Sequence, residues 1–229
     1  MTDQVRTDAP GEPGDRQAQR RAARREANRT EILDAAEEVF GQDGVRDGSL
    51  RKIAVVSGFS TAAIYLFFES KQDLVVETLM RRGIELLAAV REAAAGDETE
   101  LAKLHRVVDV TVAFFGDRPH FRNLLRHVRG GAAIIGPVLG EFDPGDNATF
   151  DDVMTVLADL VRVGQQAGEI RDGDPRVLAH LYSVLINEFV LLGAAAPATA
   201  GTLTSVQFHG VIDGVLGNPT PPPPRKRTR

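Results

Sequence analysis

Apolar residues recur at intervals of three and four along nearly the whole 229-residue chain, and nowhere do they alternate at period two over a useful length. That spacing puts an apolar stripe on a helix and leaves no strand an apolar face. The chain is therefore expected to be all-α. Ile32, Leu33, Ala36, Val39 and Phe40 mark the stripe of a first helix, with Glu31, Asp34, Glu37 and Glu38 on its polar face. Gly41 and Gly44 are expected to end it. Ser49, Ser60 and Ser70 each precede a new apolar run and are expected N-caps, since a serine oxygen accepts from the free amides of a first turn. They open helices over 50–57, 61–67 and 71–95. Further helices are expected over 101–115, 119–128, 149–167, 175–192 and 204–216, which makes about nine and no sheet. Residues 132–145 hold several Gly and Pro and read as loop or a short broken helix.

Absences narrow the function. The chain has no Cys, which excludes a disulfide scaffold, a Cys-ligated metal and a thiol sensor. No apolar run approaches the ~18 residues of a membrane-spanning helix, and the polar, Arg-rich N-terminus does not resemble a secretory signal, so a cytoplasmic protein is expected, with no membrane partner. No Gly-rich phosphate loop, GxSxG or HExxH motif occurs. His105 and Asp109 are one helical turn apart, but no two His have metal-binding spacing. Neither an enzyme, nor a cofactor, nor a metal site is expected.

Charge is unevenly spread over a formal net of −5. Residues 16–29 carry six Arg and one acid, whereas residues 83–224 carry ten bases and eighteen acids, a net of −8. An acidic body with a basic end repels a polyanion broadly and attracts it locally. The last basic cluster, Arg225, Lys226, Arg227 and Arg229, follows a Pro-rich stretch and reads as a solvated tail.

Residues 49–68 hold the motif that carries chemistry. Two short helices flank Gly58, Phe59 and Ser60, the spacing of a helix-turn-helix. Ile53, Ala54, Phe59 and Ile64 are expected to pack both onto Ile32, Ala36 and Phe40. Thr61, Ala62 and Ala63 are small enough for the second helix to sit deep in a major groove, where base edges are readable. Ser60 and Tyr65 are expected to face bases or the groove wall with them. Ser49, Arg51, Lys52 and Lys71 stand at helix starts and flanks, placed for phosphates. Arg20, Arg21, Arg24 and Arg25 precede the first helix as an arm that would track the backbone or enter a minor groove.

The run from Ile53 through Gly58, Phe59, Ser60, Ile64, Tyr65, Phe68, Ser70 and Lys71 to Leu74 resembles the DNA-binding signature of the TetR family of transcriptional regulators. Ile32-Leu33-Asp34-Ala35-Ala36, Phe40 and Gly44 resemble that family's first helix and its end, so the likeness covers about residues 28–79. Ser57, Ala62 and Phe67 depart mildly from it, and Phe67 replaces a frequent His or Tyr. The resemblance implies a homodimer, paired through helices 175–192 and 204–216. It also implies middle helices that enclose a ligand, and a helix from Ser70 whose movement respaces the two recognition helices and releases DNA.

In the middle of the chain, Phe114, Phe115 and Phe121 stand beside Arg122, Arg126 and Arg129. An apolar cavity with a cationic mouth would suit a long apolar ligand with an acidic head, such as a fatty acyl-CoA. Leu125 and Phe189 complete the expected lining. The reading assigns 1–15 to a disordered tail, 16–75 to the DNA-binding domain with its arm, 76–217 to a helical ligand-binding and dimerisation domain, and 218–229 to a Pro-rich basic tail. It yields a ligand-released repressor on a pseudo-palindromic operator. The alternative is a helical adaptor whose helix-turn-helix does not read DNA.

Overall fold

The computed structural model describes residues 13–130, 148–195 and 203–218. Nine helices are found among the described residues: α1 (Pro13–Asp47), α2 (Leu50–Ser57), α3 (Thr61–Ile64), α4 (Lys71–Ala94), α5 (Glu100–Gly116), α6 (Pro119–Gly130), α7 (Ala148–Gln166), α8 (Pro175–Ala195) and α9 (Ser205–Leu216). The fold is all-α, with an N-terminal helix-turn-helix and a larger helical C-terminal part. The irregular segment expected over 132–145 and nearly all of the tail at 218–229 lie outside the described residues. Of the tail expected over 1–15, residues 13–15 already belong to α1.

The caps explain the boundaries. Lys52 N donates to Ser49 Oγ at 3.3 Å, Ala63 N to Ser60 Oγ at 3.0 Å and Asp73 N to Ser70 Oγ at 3.0 Å. Asp174 Oδ1 accepts from the amides of Arg176 and Val177 at 2.9 and 3.0 Å, which opens α8. Thr204 and Gln207 form a capping box at the start of α9.

Two boundaries differ from expectation. α1 does not stop at Gly41 but continues to Asp47, with its break at Gly44 (φ 79°). Gly41 is kept small for a different reason. A Cβ there would fall 2.8 Å from the His120 Cα, so the glycine lets α6 approach α1 closely. The second short helix ends at Ile64 and not at Phe67. Its last turn tightens, with Leu66 N donating to Ala63 O and Phe67 N to Ile64 O, the i→i+3 pattern of a terminating helix.

One continuous core runs from Ile32, Phe40, Ile53, Ile64 and Leu74 to Leu104, Leu124, Tyr182, Ile212 and Leu216. Tyr182 is fully buried and its hydroxyl donates to Leu104 O at 2.5 Å, which joins α8 to α5. Burial, with a contribution from Asp109, pushes its phenol well above the ordinary tyrosine value. The apolar α8 corrects one expectation. Its span Pro175–Leu192 is long and apolar enough to cross a membrane by length and composition. Only 22% of that span is buried, and Val177, Leu181, Val184 and Leu192 stand exposed.

Candidate DNA-binding site

The helix-turn-helix is built on α1. Ile53, Ala54 and Ile64 are buried against a core that includes Ile32, Ala36 and Phe40, with Phe59 half-buried beside them. Gly58 takes φ 73° after α2, a left-handed turn that L side chains resist. The result presents Ser60, Thr61, Ala62, Tyr65 and Leu66 to solvent and leaves Ala63 half-buried. Tyr65 is 57% exposed and Leu66 71%.

The expected phosphate contacts sort into three kinds. Ser49, like the base-facing Ser60, spends an acceptor lone pair on its own helix amide and keeps a hydroxyl proton to donate. Arg51 is exposed in the first turn of α2. Lys52 and Lys71 are engaged inside the domain. Lys52 Nζ pairs with Asp43 Oδ2 at 2.8 Å. Lys71 Nζ donates to Arg46 O at 3.1 Å and lies 6.0 Å from the Phe40 ring centroid. Burial lowers the Lys71 pKa from the ordinary lysine value, with Asp47 pulling it back up. Lys71 thus ties the first turn of α4 to the carbonyl end of α1, where a cation is favoured.

The basic arm is helical. Residues 16–27 form an exposed N-terminal extension of α1. A helix ~10 Å across is wider than a minor groove of ~6 Å, so entry there would require the arm to unwind, whereas backbone tracking would not. Arg25 Nη2 donates to Leu66 O at 3.2 Å and its guanidinium lies 5.0 Å over the Phe67 ring. One turn on, Arg29 lies 5.2 Å over Phe68 and pairs with Glu77. Phe67, where the resemblance would place a polar side chain, instead seats an arginine of the arm.

An ion-pair network joins this unit to the rest and was not legible in the sequence. Glu37, expected on the solvated face of α1, is 6% exposed. It accepts from Arg82 Nε at 2.6 Å and Arg81 Nη2 at 3.4 Å, while Asp34 accepts from Arg81 Nη2 at 2.8 Å. Glu85 then takes Arg82 at 2.9 Å and Arg118 at 3.3 Å. Burial opposes the Arg82 charge, but its hydrogen bonds to Glu37 and Glu85 hold its pKa above the ordinary guanidinium value. Asp34 and Glu37 lie 44–47 residues from the arginines they pair with, beyond any helical spacing.

The expected ligand residues separate into two groups. Phe114, Phe115 and Phe121 are buried and packed ring on ring, Phe115 stacked on Phe121 at 5.7 Å and Phe114 edge-on to Phe121 at 6.2 Å. Phe189 belongs to α8 and stacks on Phe208 of α9 at 4.2 Å. Leu125 is half-buried. Arg122 Nη1 reaches Phe115 O at 3.5 Å, so it caps the end of α5, while Arg126 is exposed. His105 and Asp109 do not pair with each other. They cross to α9, as His105–Asp213 at 2.7 Å and Asp109–His209 at 3.0 Å, with the two imidazoles stacked at 4.4 Å.

The family model described as bacterial regulatory proteins, tetR family, matches residues 32–78, the span just built. This chain is a TetR-family transcriptional regulator. The fatty acid metabolism regulator protein of Bacillus subtilis is 26% identical over 165 residues, 70% of this chain and 80% of that protein. The crystal structure of FadR from Bacillus subtilis in complex with stearoyl-CoA superposes with a TM-score of 0.65 at 20% identity, covering 80% of this chain and 94% of that one. The nicotine-responsive repressor HdnoR of Paenarthrobacter nicotinovorans is 33% identical over 82 residues, but only 36% of this chain and 42% of that protein are covered. Likeness to that relative thus spans under half of its length. As a TetR-family regulator the chain is a DNA-binding protein and not an enzyme.

Proposed function

We propose that this regulator is a cytoplasmic homodimeric repressor, bound to a pseudo-palindromic operator and released by a fatty acyl-CoA or a similar ligand. The observation that carries the DNA part is the pinned α2–α3 unit, whose exposed face has small side chains and whose flank bears Arg24, Arg25 and Arg51. In this reading those arginines, with Ser49, Lys52 and Lys71, hold phosphates, and Ser60, Thr61, Ala62, Ala63 and Tyr65 meet the groove. Residues 16–75 form the DNA-binding domain and 76–217 the ligand-binding and dimerisation domain. The dimer is supported by the exposed Val177, Leu181, Val184 and Leu192 of α8 and Val206 and Val211 of α9. An apolar stripe of that length on one molecule calls for a partner surface.

The ligand part is supported by the relative whose structure holds stearoyl-CoA. An acyl chain entering near Phe114, Phe115 and Phe121 would have to part their stack. That stack adjoins Arg118, whose guanidinium lies 4.1 Å over the Phe114 ring and 3.3 Å from Glu85 of α4. Parting it would load α4, and with α4 the spacing of two recognition helices that must meet grooves ~34 Å apart.

The test is fluorescence anisotropy on DNA from the region upstream of its own coding sequence, over a salt series, against a scrambled duplex. Selective, salt-dependent binding that palmitoyl-CoA reverses and free coenzyme A does not would bear out the whole reading. Equal binding to both duplexes would overturn the operator. Selective binding unmoved by palmitoyl-CoA would overturn the ligand alone.

A further inference from the structure

We infer that this regulator reads its operator chiefly through thymine methyl groups, with Leu66 and Thr61 as the specificity-determining side chains. The inference rests on the DNA-binding function proposed above and names what that surface recognises. Residues 59–68 hold no amide, guanidinium, ammonium or carboxylate side chain. The strong base contacts in a major groove are bidentate, Arg or Lys to guanine and Asn or Gln to adenine. This segment can make none of them. Its polar groups are three hydroxyls, and that of Ser60 already accepts from Ala63 N at 3.0 Å.

What the surface offers instead is methyl and aromatic area. Thr61 and Ala62 are exposed in the first turn of α3, and Tyr65 and Leu66 follow four residues later, 57% and 71% exposed. Tyr65 N donates to Thr61 O at 3.2 Å, so those two lie on one face, one turn apart, and Leu66 N donates to Ala63 O as the helix terminates. The Leu66 position is fixed as well as exposed. Arg25 Nη2 donates to its carbonyl at 3.2 Å, and the Phe67 and Phe68 rings that follow sit under Arg25 and Arg29. A leucine tethered by its carbonyl outside the core is placed to bury its side chain on an apolar target. The one apolar feature on a base edge in the major groove is the C5 methyl of thymine. The half-site should therefore place thymines beneath α3.

The experiment separates this from the function it rests on. The full chain first selects its operator from a random duplex pool, and anisotropy then measures that operator with each thymine replaced singly by deoxyuridine. The replacement deletes one methyl and leaves every hydrogen-bonding group in place. Each methyl read should cost about three- to fivefold in affinity, the burial of a single methyl. Leu66→Ala, at an exposed position that the fold tolerates, should abolish the effect at one thymine, and Thr61→Ser at another. An operator bound selectively but indifferent to deoxyuridine would overturn the inference and leave the regulator intact. So would a Leu66→Ala protein that kept full methyl sensitivity, or a sequence preference lost only in Arg51→Ala. Failure to select any operator would overturn both.

Discussion

Helix α3 is four residues long and tied at both ends, by the Ser60 cap and by the Arg25 bond to Leu66 O. Helix α8 is 21 residues long, and most of its first 18 residues lie outside the core. The short element is marginal in isolation, since one turn of helix cannot offset its nucleation cost, yet everything that holds it lies in the same chain. The long one leaves Val177, Leu181, Val184 and Leu192 uncovered among the described residues. The DNA-binding unit is complete within one molecule. In the dimer proposed above, the C-terminal helices are completed by a second surface.

The contrast is most sharply tested at Gly41, where the N-terminal unit meets α6. Gly41→Val should push against the His120 backbone and cost about 3 kcal/mol or more, seen as a large drop in Tm. Gly116→Ala, where a Cβ meets nothing within 4 Å, should be neutral or stabilising by up to about 1 kcal/mol. Equal effects would mean that α1 and α6 do not approach as described. On the other side of the comparison, Leu181→Arg should halve the mass by light scattering and leave the helical circular dichroism intact. A variant that still dimerises would place the partner surface elsewhere than α8.

A smaller loss is expected at the joint between the two regions. Glu37→Gln removes the buried charge shared by Arg81 and Arg82 and should cost about 1–3 kcal/mol, read by urea unfolding. A neutral result would reduce the network to solvated surface charge. Lys71→Ala should lower Tm slightly and also reduce the salt slope of DNA binding by roughly one. An unchanged slope would leave Lys71 only as the strut between α4 and α1.

Both regions share the core that holds Tyr182. Tyr182 has a folded pKa raised well above 10.0, so its stabilising contribution is complete below pH 10.0 and is lost as pH rises. In Tyr65→Phe, where Tyr182 is the remaining tyrosine, tyrosinate absorbance should be missing just above that pH and appear on unfolding.

Much of this was written locally. The three serine caps, Gly58 at the turn, and the burial of Ile32, Phe40, Ile53 and Ile64 follow from spacing and from single-residue chemistry, because a cap or an apolar stripe needs neighbours only three or four residues away. That Ser60, Thr61, Ala62 and Tyr65 would stand exposed beside the turn was legible for the same reason. Which of the expected ligand-lining side chains would lie together was not. Phe121 and Phe189 are both apolar residues at helical spacing, and periodicity does not say which helix each will meet. Nor did it show that the polar-looking Glu37 would be buried by arginines 44 and 45 residues away.

The sequence by itself determined the helices, their order and the turn that makes a reading head, since those depend on contacts within one or two turns. Only the tertiary structure decided that Gly41 marks a close approach, not a helix end, that the arginine arm is pinned on Phe67, and that His105 and Asp109 reach α9. Those outcomes depend on which distant surfaces meet. Distance along the chain carries no record of that, because burial is settled by the whole packed core and not by any one helix.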